Sequence, residues 1–434
     1  MTLELQPLDA IVRQASASWA RFLQLARGDA QAAERLDPFA TTRNIAGKSL
    51  LFDLYAHNAS PAETQLHEGL KQWVYALLQA RLSIPIVLEE CALRQESTLV
   101  PIFGEALSWR SLWRSAIVEP DLRAAEYVKI LNERALVLIS VQQRASEARV
   151  EVARLLGYAH PDEPLLRSSD VDDFDRQFFR ETFDYAKDVV MRDRAIAIEG
   201  TYARREVAAR AREGWPARLT NRFYDEVFSG LGGTVARLPA LQHARDVWGA
   251  ASFARALGSL GLAMRGQYLS LSKLPFAARA HPDNLEGQML GVAFGLLLAS
   301  PVFHTRALGL GRDAARDQAR LCTTSLLLSL RRNHASSAVS KGVWSVDEAA
   351  NAVYCGADPT PLMRALLLRR PQFAATSRGI SFSVLMVNRF DEDWFRNPRA
   401  HQFLIDRAGA PAFATDRANA MTAVECRQWF ESRV

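Results

Sequence analysis

The sequence has few residues of the kinds that cross-link a chain or hold a metal ion. Its four cysteines, Cys91, Cys322, Cys355 and Cys426, lie far apart and form no Cys-x-x-Cys pair. Neither a disulfide framework nor a cysteine-based zinc site fits that spacing. The pattern is typical of a protein kept in a reducing compartment, so we expect a cytoplasmic protein.

Long apolar runs and targeting signals are also scarce. The most apolar stretch, residues 287–303, is shorter than the roughly 20 residues that a membrane span needs, and Pro301 interrupts it. The opening residues, MTLELQPLDA, lack the basic and apolar regions of a signal peptide. We therefore expect no membrane partner.

The chain has no large excess of charge of either sign. Its formal net charge is +5, whereas nucleic-acid-binding domains usually carry a stronger and more clustered positive charge. The densest basic stretch is Arg192–Arg222, whose eight arginines are offset by four acids. A nucleic-acid partner bound through this stretch is the least favoured of the alternatives.

Motifs of common catalytic sites are missing, among them the phosphate-binding loop, the nucleophile elbow and the zinc-peptidase helix. His67-Glu68 begins like the last of these, but Lys71 stands where the second histidine would be. A cation at that position opposes a metal ion. We expect His67 and Glu68 on the solvent face of a helix, and we predict neither a metal nor a cofactor.

Helix signals, by contrast, are dense. Ser345 and Thr422 each precede a glutamate by three residues, the pattern of a capping box. A cap followed by proline, which is favoured at the first helical position, recurs at Ser60, Thr360 and Asn397. Because each device satisfies backbone donors at a helix start, we predict an all-α protein.

Two proline-free segments, residues 121–156 and 170–212, predict unusually long central helices. The chain exceeds the size at which single cores usually stop growing, roughly 250–300 residues. We therefore predict two lobes, 1–213 and 214–434, divided at Gly214-Trp215-Pro216. Predicted linkers are residues 27–48, 157–169, 230–239, 272–283 and 333–344.

An acidic cluster lies at the predicted start of the second long helix, at Asp170, Asp172, Asp173 and Asp175. Its spacing Asp170-x-Asp172-Asp173 resembles, over four residues, the acid motif of class II terpene cyclases. Such a cluster could bind Mg²⁺ or a cationic group. Acids at a helix N-terminus also complement the helix dipole, and we favour that structural role.

Arg312, Arg316 and Arg320 recur every four residues and share one face of a predicted helix. They could bind a phosphate or an acidic partner. Asp313 and Asp317 precede the last two arginines by three residues. We favour a solvated face on which these aspartates form ion pairs with the arginines.

A turn between two predicted helices contains Asp391, Asp393, Trp394 and Arg396. Its acids end one helix, where the helix dipole disfavours them. We favour an internal network of acids and arginines that fixes the turn. A ligand or partner contact is the alternative, because charges placed against local preference often mark function.

Long helices with wide apolar faces and no catalytic motif favour a helical interaction or scaffold protein, a subunit of a larger assembly with a protein partner. The first alternative is an enzyme whose active site is buried between helices, either degenerate metallopeptidase-like or Mg²⁺-dependent. That site would be lined by several of Asp170, Asp172, Asp173, Arg312 and Arg316. The second alternative is the Arg-mediated nucleic-acid binder.

Overall fold

The computed structural model describes residues 4–118, 121–158, 161, 177–184, 186–187, 218–219, 221–228, 245–246, 250–270, 273–282, 284–340, 342–356, 360–368, 376–409 and 421–433. These residues are mostly helical, which confirms the all-α fold class. The helices in the first part of the chain are α1 Leu5–Gly28, α2 Ala30–Glu34, α3 Lys48–Ala56, α4 Thr64–Leu82, α5 Ile84–Gln95, α6 Trp109–Val118 and α7 Asp121–Leu155.

The helices that follow are α8 Asn221–Val227, α9 Ala250–Ser270, α10 Phe276–Arg279, α11 Leu285–Gly295, α12 Pro301–Leu308, α13 Arg312–Ser340, α14 Val346–Tyr354, α15 Pro361–Leu367, α16 Thr376–Phe390, α17 Pro398–Gly409 and α18 Ala423–Glu431. Helical turns also occur at 177–184, and 3-10 turns at Leu296–Ala299 and Trp394–Arg396.

The β-structure of the described residues consists of two short antiparallel strand pairs. β1 (Ser97–Val100) pairs with β2 (Glu105–Ser108), and β3 (Arg218–Leu219) pairs with β4 (Arg245–Asp246). The β1–β2 hairpin was not predicted from the sequence. Four-residue strands carry little periodicity, and the turn between them depends on Gly104, whose φ is +64°.

The first predicted long helix is confirmed as the 35-residue α7, about 52 Å long. Gly157, with φ +81°, lies just beyond its end, where a glycine commonly terminates a helix. Most of the second, 170–212, lies outside the described residues. The linker predicted at 333–344 was wrong, because α13 continues to Ser340. Burial of His334, Ala335 and Ala338 overrides the weak helix propensity of this stretch.

The predicted caps form where the helices begin. Ser345 accepts a hydrogen bond from the Glu348 N–H at 3.2 Å, and Thr422 accepts one from the Glu425 N–H at 3.3 Å. At Ser60 the glutamate contact also forms, with 2.6 Å between Ser60 Oγ and Glu63 Oε2. The helix there starts only at Thr64, one turn later than we expected.

The hydrophobic interior is shared across the proposed lobe boundary near residue 214. One cluster joins Tyr127 and Leu131 of α7 to Tyr354 and Leu362. Another joins α1 and α4 to Ala277 and Ala278, and a third includes Phe178 among residues beyond 290. The two-lobe division remains a prediction.

The short helix α10 docks against the first part of the chain through its backbone. Asp9 of α1 accepts hydrogen bonds from the N–H groups of Phe276 and Ala277 at 2.8 and 2.6 Å. Gly69 of α4 lies directly against this segment, since a Cβ there would be 1.9 Å from the carbonyl oxygen of Ala277. The backbone of residues 276–277 therefore fills a gap between α1 and α4.

Helices α9 and α11 cross at their glycines. A Cβ on Gly261 would lie 2.4 Å from the nitrogen of Gly291, and one on Gly291 would lie 2.9 Å from the Gly258 oxygen. This approach buries the apolar α11 in the core. Within the described part of the chain, no single helix is long and apolar enough to cross a membrane. One pair of helices bent by 83°, Glu286–Ala299 with Pro301–Leu308, together has the length and composition of a membrane span.

Candidate functional site

The outer side of α7 carries two large apolar side chains in solvent. Leu136 is 59% exposed and Val137 is 52% exposed, whereas Ala135 and Leu138 are buried. The apolar run 135–139 extends around the whole circumference of the helix, so packing on one side cannot bury all of it. An apolar spot therefore remains near the middle of the longest described helix.

A groove of about 440 Å³ lies beside this spot, between α7 and the start of α15. Its lining residues are Ala125, Val128, Lys129, Asn132, Glu133, Leu136 and Pro361. Asn132 fixes its shape: Nδ2 donates to the Val128 carbonyl at 3.0 Å, and Oδ1 accepts from the Leu362 N–H at 3.1 Å. Since that N–H belongs to the first turn of α15, Asn132 supplies it with a partner that the helix itself lacks.

Charges of both signs flank the apolar spot. We define the α7 face by its exposed residues Lys129, Glu133, Leu136, Val137, Ser140, Gln143, Arg144 and Glu147, of which Arg144 pairs with Glu89 of α5 at 2.6 Å. Lys129 Nζ lies 3.8 Å from Glu126 Oε1, and its side chain is 66% exposed. Among the described residues, Glu133 and Glu147 form no ion pair. The face thus offers an apolar centre with a cation toward one end and an acid toward the other.

A cation is fully buried elsewhere in the molecule, at Arg331 of α13. Its Nη1 donates to the Phe179 carbonyl at 2.9 Å and to Thr182 Oγ1 at 2.6 Å, and its Nη2 donates to the Ala352 carbonyl. The guanidinium carbon lies 4.6 Å from the centre of the Phe179 ring. No described carboxylate pairs with Arg331, so carbonyl dipoles and an aromatic face stabilise the charge.

Burial lowers the pKa of Arg331 to about 10, and neighbouring Cys355 opposes the shift. Burial also raises the pKa of the Cys355 thiol, although Arg331 and Lys187 act in the other direction. The thiol therefore stays protonated at neutral pH, whereas a nucleophilic cysteine needs its thiolate. This buried centre joins three helical elements and lacks an activated nucleophile.

A second buried arginine joins α9, α11 and α17. Arg265 is 1% exposed, and its Nη1 donates to the Ala408 carbonyl at 2.6 Å. Its Nη2 lies 3.8 Å from Glu286 Oε2, which is also buried. Burial lowers the pKa of Arg265, and Glu286 opposes the shift. Both buried arginines thus hold helices together through backbone carbonyls.

The predicted arginine row lies on the first turns of α13. Arg312, Arg316 and Arg320 are all exposed, which fits a solvated face. The ion pairs that we expected do not form: in the described structure Asp313 is not within ion-pair distance of Arg316, nor Asp317 of Arg320. Ion pairs between exposed side chains contribute little to stability, so the row does not need them.

The predicted turn site is held by its backbone rather than by charges. Asp391 has φ +71°, its N–H donates to the Val387 carbonyl at 2.9 Å, and its carbonyl accepts the Trp394 N–H at 3.1 Å. Among the described residues no ion pair joins Asp391 or Asp393 to Arg396, so the expected network was wrong. Asp391 and Arg396 are exposed and Asp393 is half-buried.

Trp394 itself is a core residue. It is 1% exposed, and its ring lies 5.3 Å from that of Phe294 in an edge-to-face arrangement. Such aromatic pairs stabilise an interior beyond the area that they bury. The side chain therefore anchors the turn between α16 and α17 in the core, and solvent does not reach it.

The other candidates fall largely outside the described residues. Asp170, Asp172 and Asp173 lie there, as does most of Arg192–Arg222. At the described end of that stretch, exposed Arg222 pairs with Glu226 at 2.7 Å. Neither the carboxylate cluster nor the basic stretch is therefore tested by the geometry.

His67 departs from its expected place. It is 5% exposed, and its Nε2 lies 2.7 Å from the Leu54 carbonyl, so it joins α4 to α3 rather than facing solvent. Lys71 pairs instead with Glu68 at 2.9 Å. Within the described residues, no group of three or more His, Cys, Asp and Glu side chains could hold a metal ion.

Comparison with known proteins gives no relative: no family model, no curated protein and no solved structure matches this chain.

Neither the α7 face nor the buried arginines were predicted from the sequence. The run Ala135-Leu136-Val137-Leu138-Ile139 did carry a signal, because five consecutive apolar residues in a helix cannot all face one core. For Arg331 there was no comparable signal. Arg332 is its neighbour and is only half-buried, and the sequence does not distinguish the two.

Proposed function

We propose that this chain is a helical interaction protein, a subunit of an assembly, and that a protein partner docks on the α7 face. The observation that carries the proposal is the exposure of Leu136 and Val137 side by side on a 35-residue helix. Single exposed apolar residues are ordinary, but an apolar centre with a polar rim is the usual anatomy of an interface.

The surroundings of Leu136 support docking. The adjacent groove offers apolar surface from Val128 and Pro361, and Asn132 anchors α15 to α7 beside it. A partner would therefore meet a surface whose backbone is already ordered. Binding to such a surface costs less conformational entropy than binding to a mobile loop.

The enzyme and nucleic-acid alternatives have weaker support. They depend chiefly on Asp170, Asp172, Asp173 and Arg192–Arg222. Within the described part of the chain, Arg312 and Arg316 are exposed and line no internal cleft. At the buried polar centre, the Nη groups of Arg331 donate to two backbone carbonyls and to Thr182.

The test compares Leu136→Glu with a matched variant, Leu82→Glu, at the end of α4. Leu82 is 46% exposed and lies outside the α7 face. Each protein is purified gently from its own host, and the mass of its complexes is measured by native mass spectrometry. We expect a complex in the wild type and in L82E, and its loss in L136E with an unchanged thermal unfolding curve.

Two results would contradict the proposal. One is a wild-type chain that remains a monomer without any protein partner at every concentration. The other is a complex that survives Leu136→Glu as well as it survives Leu82→Glu.

A further inference from the structure

The charges of the α7 face complement each other when the face is rotated by two-fold symmetry. We infer that the partner is a second copy of this chain, bound by antiparallel pairing of the two α7 helices around an axis that crosses the α7 face at the level of Leu138 along the helix, Leu138 itself being buried on the opposite side. The inference rests on the proposed function, because it names the partner of the same face. Two-fold dimers are the commonest closed assemblies, and their interfaces must be self-complementary.

Lys129 and Glu147 lie at equal distances along the helix on either side of Leu138, and both are exposed. In an antiparallel pair centred there, Lys129 meets the partner's Glu147, and symmetry repeats the contact. Glu133 meets the partner's Gln143, so no like charges oppose each other. The arrangement gives two attractive pairs and leaves Leu136 and Val137 near the axis.

Neighbouring registers are less favourable. Moving the axis to Ser140 places Glu133 against the partner's Glu147, and these two repulsive pairs offset the two attractive pairs between Lys129 and the partner's Glu151. Moving it to Leu136 places Lys129 against the partner's Gln143 and removes both ion pairs. Parallel pairing would oppose each charge to itself. Of the arrangements compared, the register centred at the level of Leu138 has two attractive pairs and no repulsive pair, and the charge pattern therefore favours it, as e and g positions do in helical pairs.

The interface is modest in size. The stretch between Lys129 and Glu147 spans roughly 27 Å, and a standard stable interface buries about 800 Å² on each partner. A single helix face with two large apolar residues falls short of that area. We therefore expect a micromolar dimer whose affinity depends on the ion pairs and falls as salt screens them.

Charge reversal tests the register. Lys129→Glu alone and Glu147→Lys alone each turn two attractive pairs into repulsive ones. Each should weaken the dimer about tenfold or more. The double variant K129E/E147K restores opposite charges and should recover most of the wild-type affinity. Sedimentation equilibrium of the purified full chain, up to hundreds of micromolar, measures the dissociation constant.

Glu151→Lys is the matched control. Glu151 is exposed on the same side of α7, but in this register it meets the partner's Ala125. Its reversal should therefore leave the dissociation constant within about threefold of the wild type. Thermal unfolding of each variant shows whether the fold is retained, in particular for K129E, which places a second acid near Glu126.

The outcomes separate this inference from the proposed function. Recovery of affinity in the double variant supports the dimer. A chain that is monomeric at all concentrations, or a double variant that stays weak, overturns it. If the protein purified from its host instead forms a complex with the mass of another partner, and Leu136→Glu abolishes that complex, only the inference of a second copy is wrong. If Leu136→Glu changes no complex, both proposals fail.

Discussion

Arg331 donates a hydrogen bond of 2.6 Å from Nη1 to Oγ1 of Thr182, 149 residues earlier in the chain. The same guanidinium donates to the Ala352 carbonyl in the last turn of α14. One side chain thus joins α13, α14 and the helical segment at 177–184. A planar fork with several donors can do this, whereas an ammonium group cannot reach the same acceptors.

We predict that Arg331→Lys lowers the free energy of unfolding by about 2–3 kcal/mol, because buried carbonyls lose donors while the charge stays buried. Arg316→Lys is the control. It lies exposed on the same helix and should change stability by less than about 0.5 kcal/mol. Urea denaturation measures both. Equal stability of the two variants would show that Arg331 does not connect these elements.

The α9–α11 crossing gives a second prediction. Gly261→Ala should destabilise the protein by about 1–3 kcal/mol, because its Cβ would overlap the backbone at Gly291. Gly266→Ala on the same helix has open space around the new Cβ. It should stabilise the protein by about 0.5–1 kcal/mol. Thermal unfolding measures both shifts, and a stabilising G261A would contradict the close crossing.

His304 makes stability depend on pH. It is fully buried, its Nε2 lies 2.9 Å from the Leu298 carbonyl, and burial lowers its pKa from 6.5 to about 4. Between these values the unfolded chain binds more protons than the folded chain. The stability present above pH 6.5 is therefore lost as the pH falls to about 4, by roughly 3 kcal/mol.

His304→Gln isolates this effect, since glutamine keeps a donor near the Leu298 carbonyl and does not titrate. We expect the free energy of unfolding of the variant to fall less steeply than that of the wild type between about pH 6.5 and 4. Urea denaturation across that range provides the measurement. Parallel curves for the two proteins would rule out His304 as the source.

Asp9 holds α10 against α1 through two backbone donors. Asp9→Ala should cost about 1–2 kcal/mol, as for the loss of a helix cap. Asp9→Asn keeps one acceptor oxygen, so its stability should lie between that of the wild type and that of Asp9→Ala. Asp53→Ala, at an exposed position of α3, is the control and should change little. In chemical denaturation we expect the free energy of unfolding to decrease in the order D53A, D9N, D9A. Equal stability of D53A and D9A would exclude this role of Asp9.

Local features of the fold could be predicted because they depend on near neighbours in the sequence. The capping glutamates are three residues from Ser345 and Thr422, and Gly157 lies two residues beyond the last residue of α7. Errors arose where distant packing decided the outcome. The end of α13 runs on to Ser340 because its last turns are buried against other elements.

The candidate surface shows the same limit at single residues. Leu136 and Leu138 are the same residue type two positions apart, yet one is 59% exposed and the other 2%. Periodicity indicates that some of the run 135–139 must face outward, but the neighbours of α7 decide which. Arg331 and Arg332 differ in the same way, since the first is fully buried and the second is half-buried.

The sequence by itself determined the helical class, the long α7 and several helix starts, because hydrophobic period and capping act over a few residues. Only the tertiary structure decided which arginines are buried, that His67 and Trp394 lie in the interior, and that α10 docks on α1 and α4. Those facts depend on contacts between residues far apart in the chain, and no local pattern specifies them.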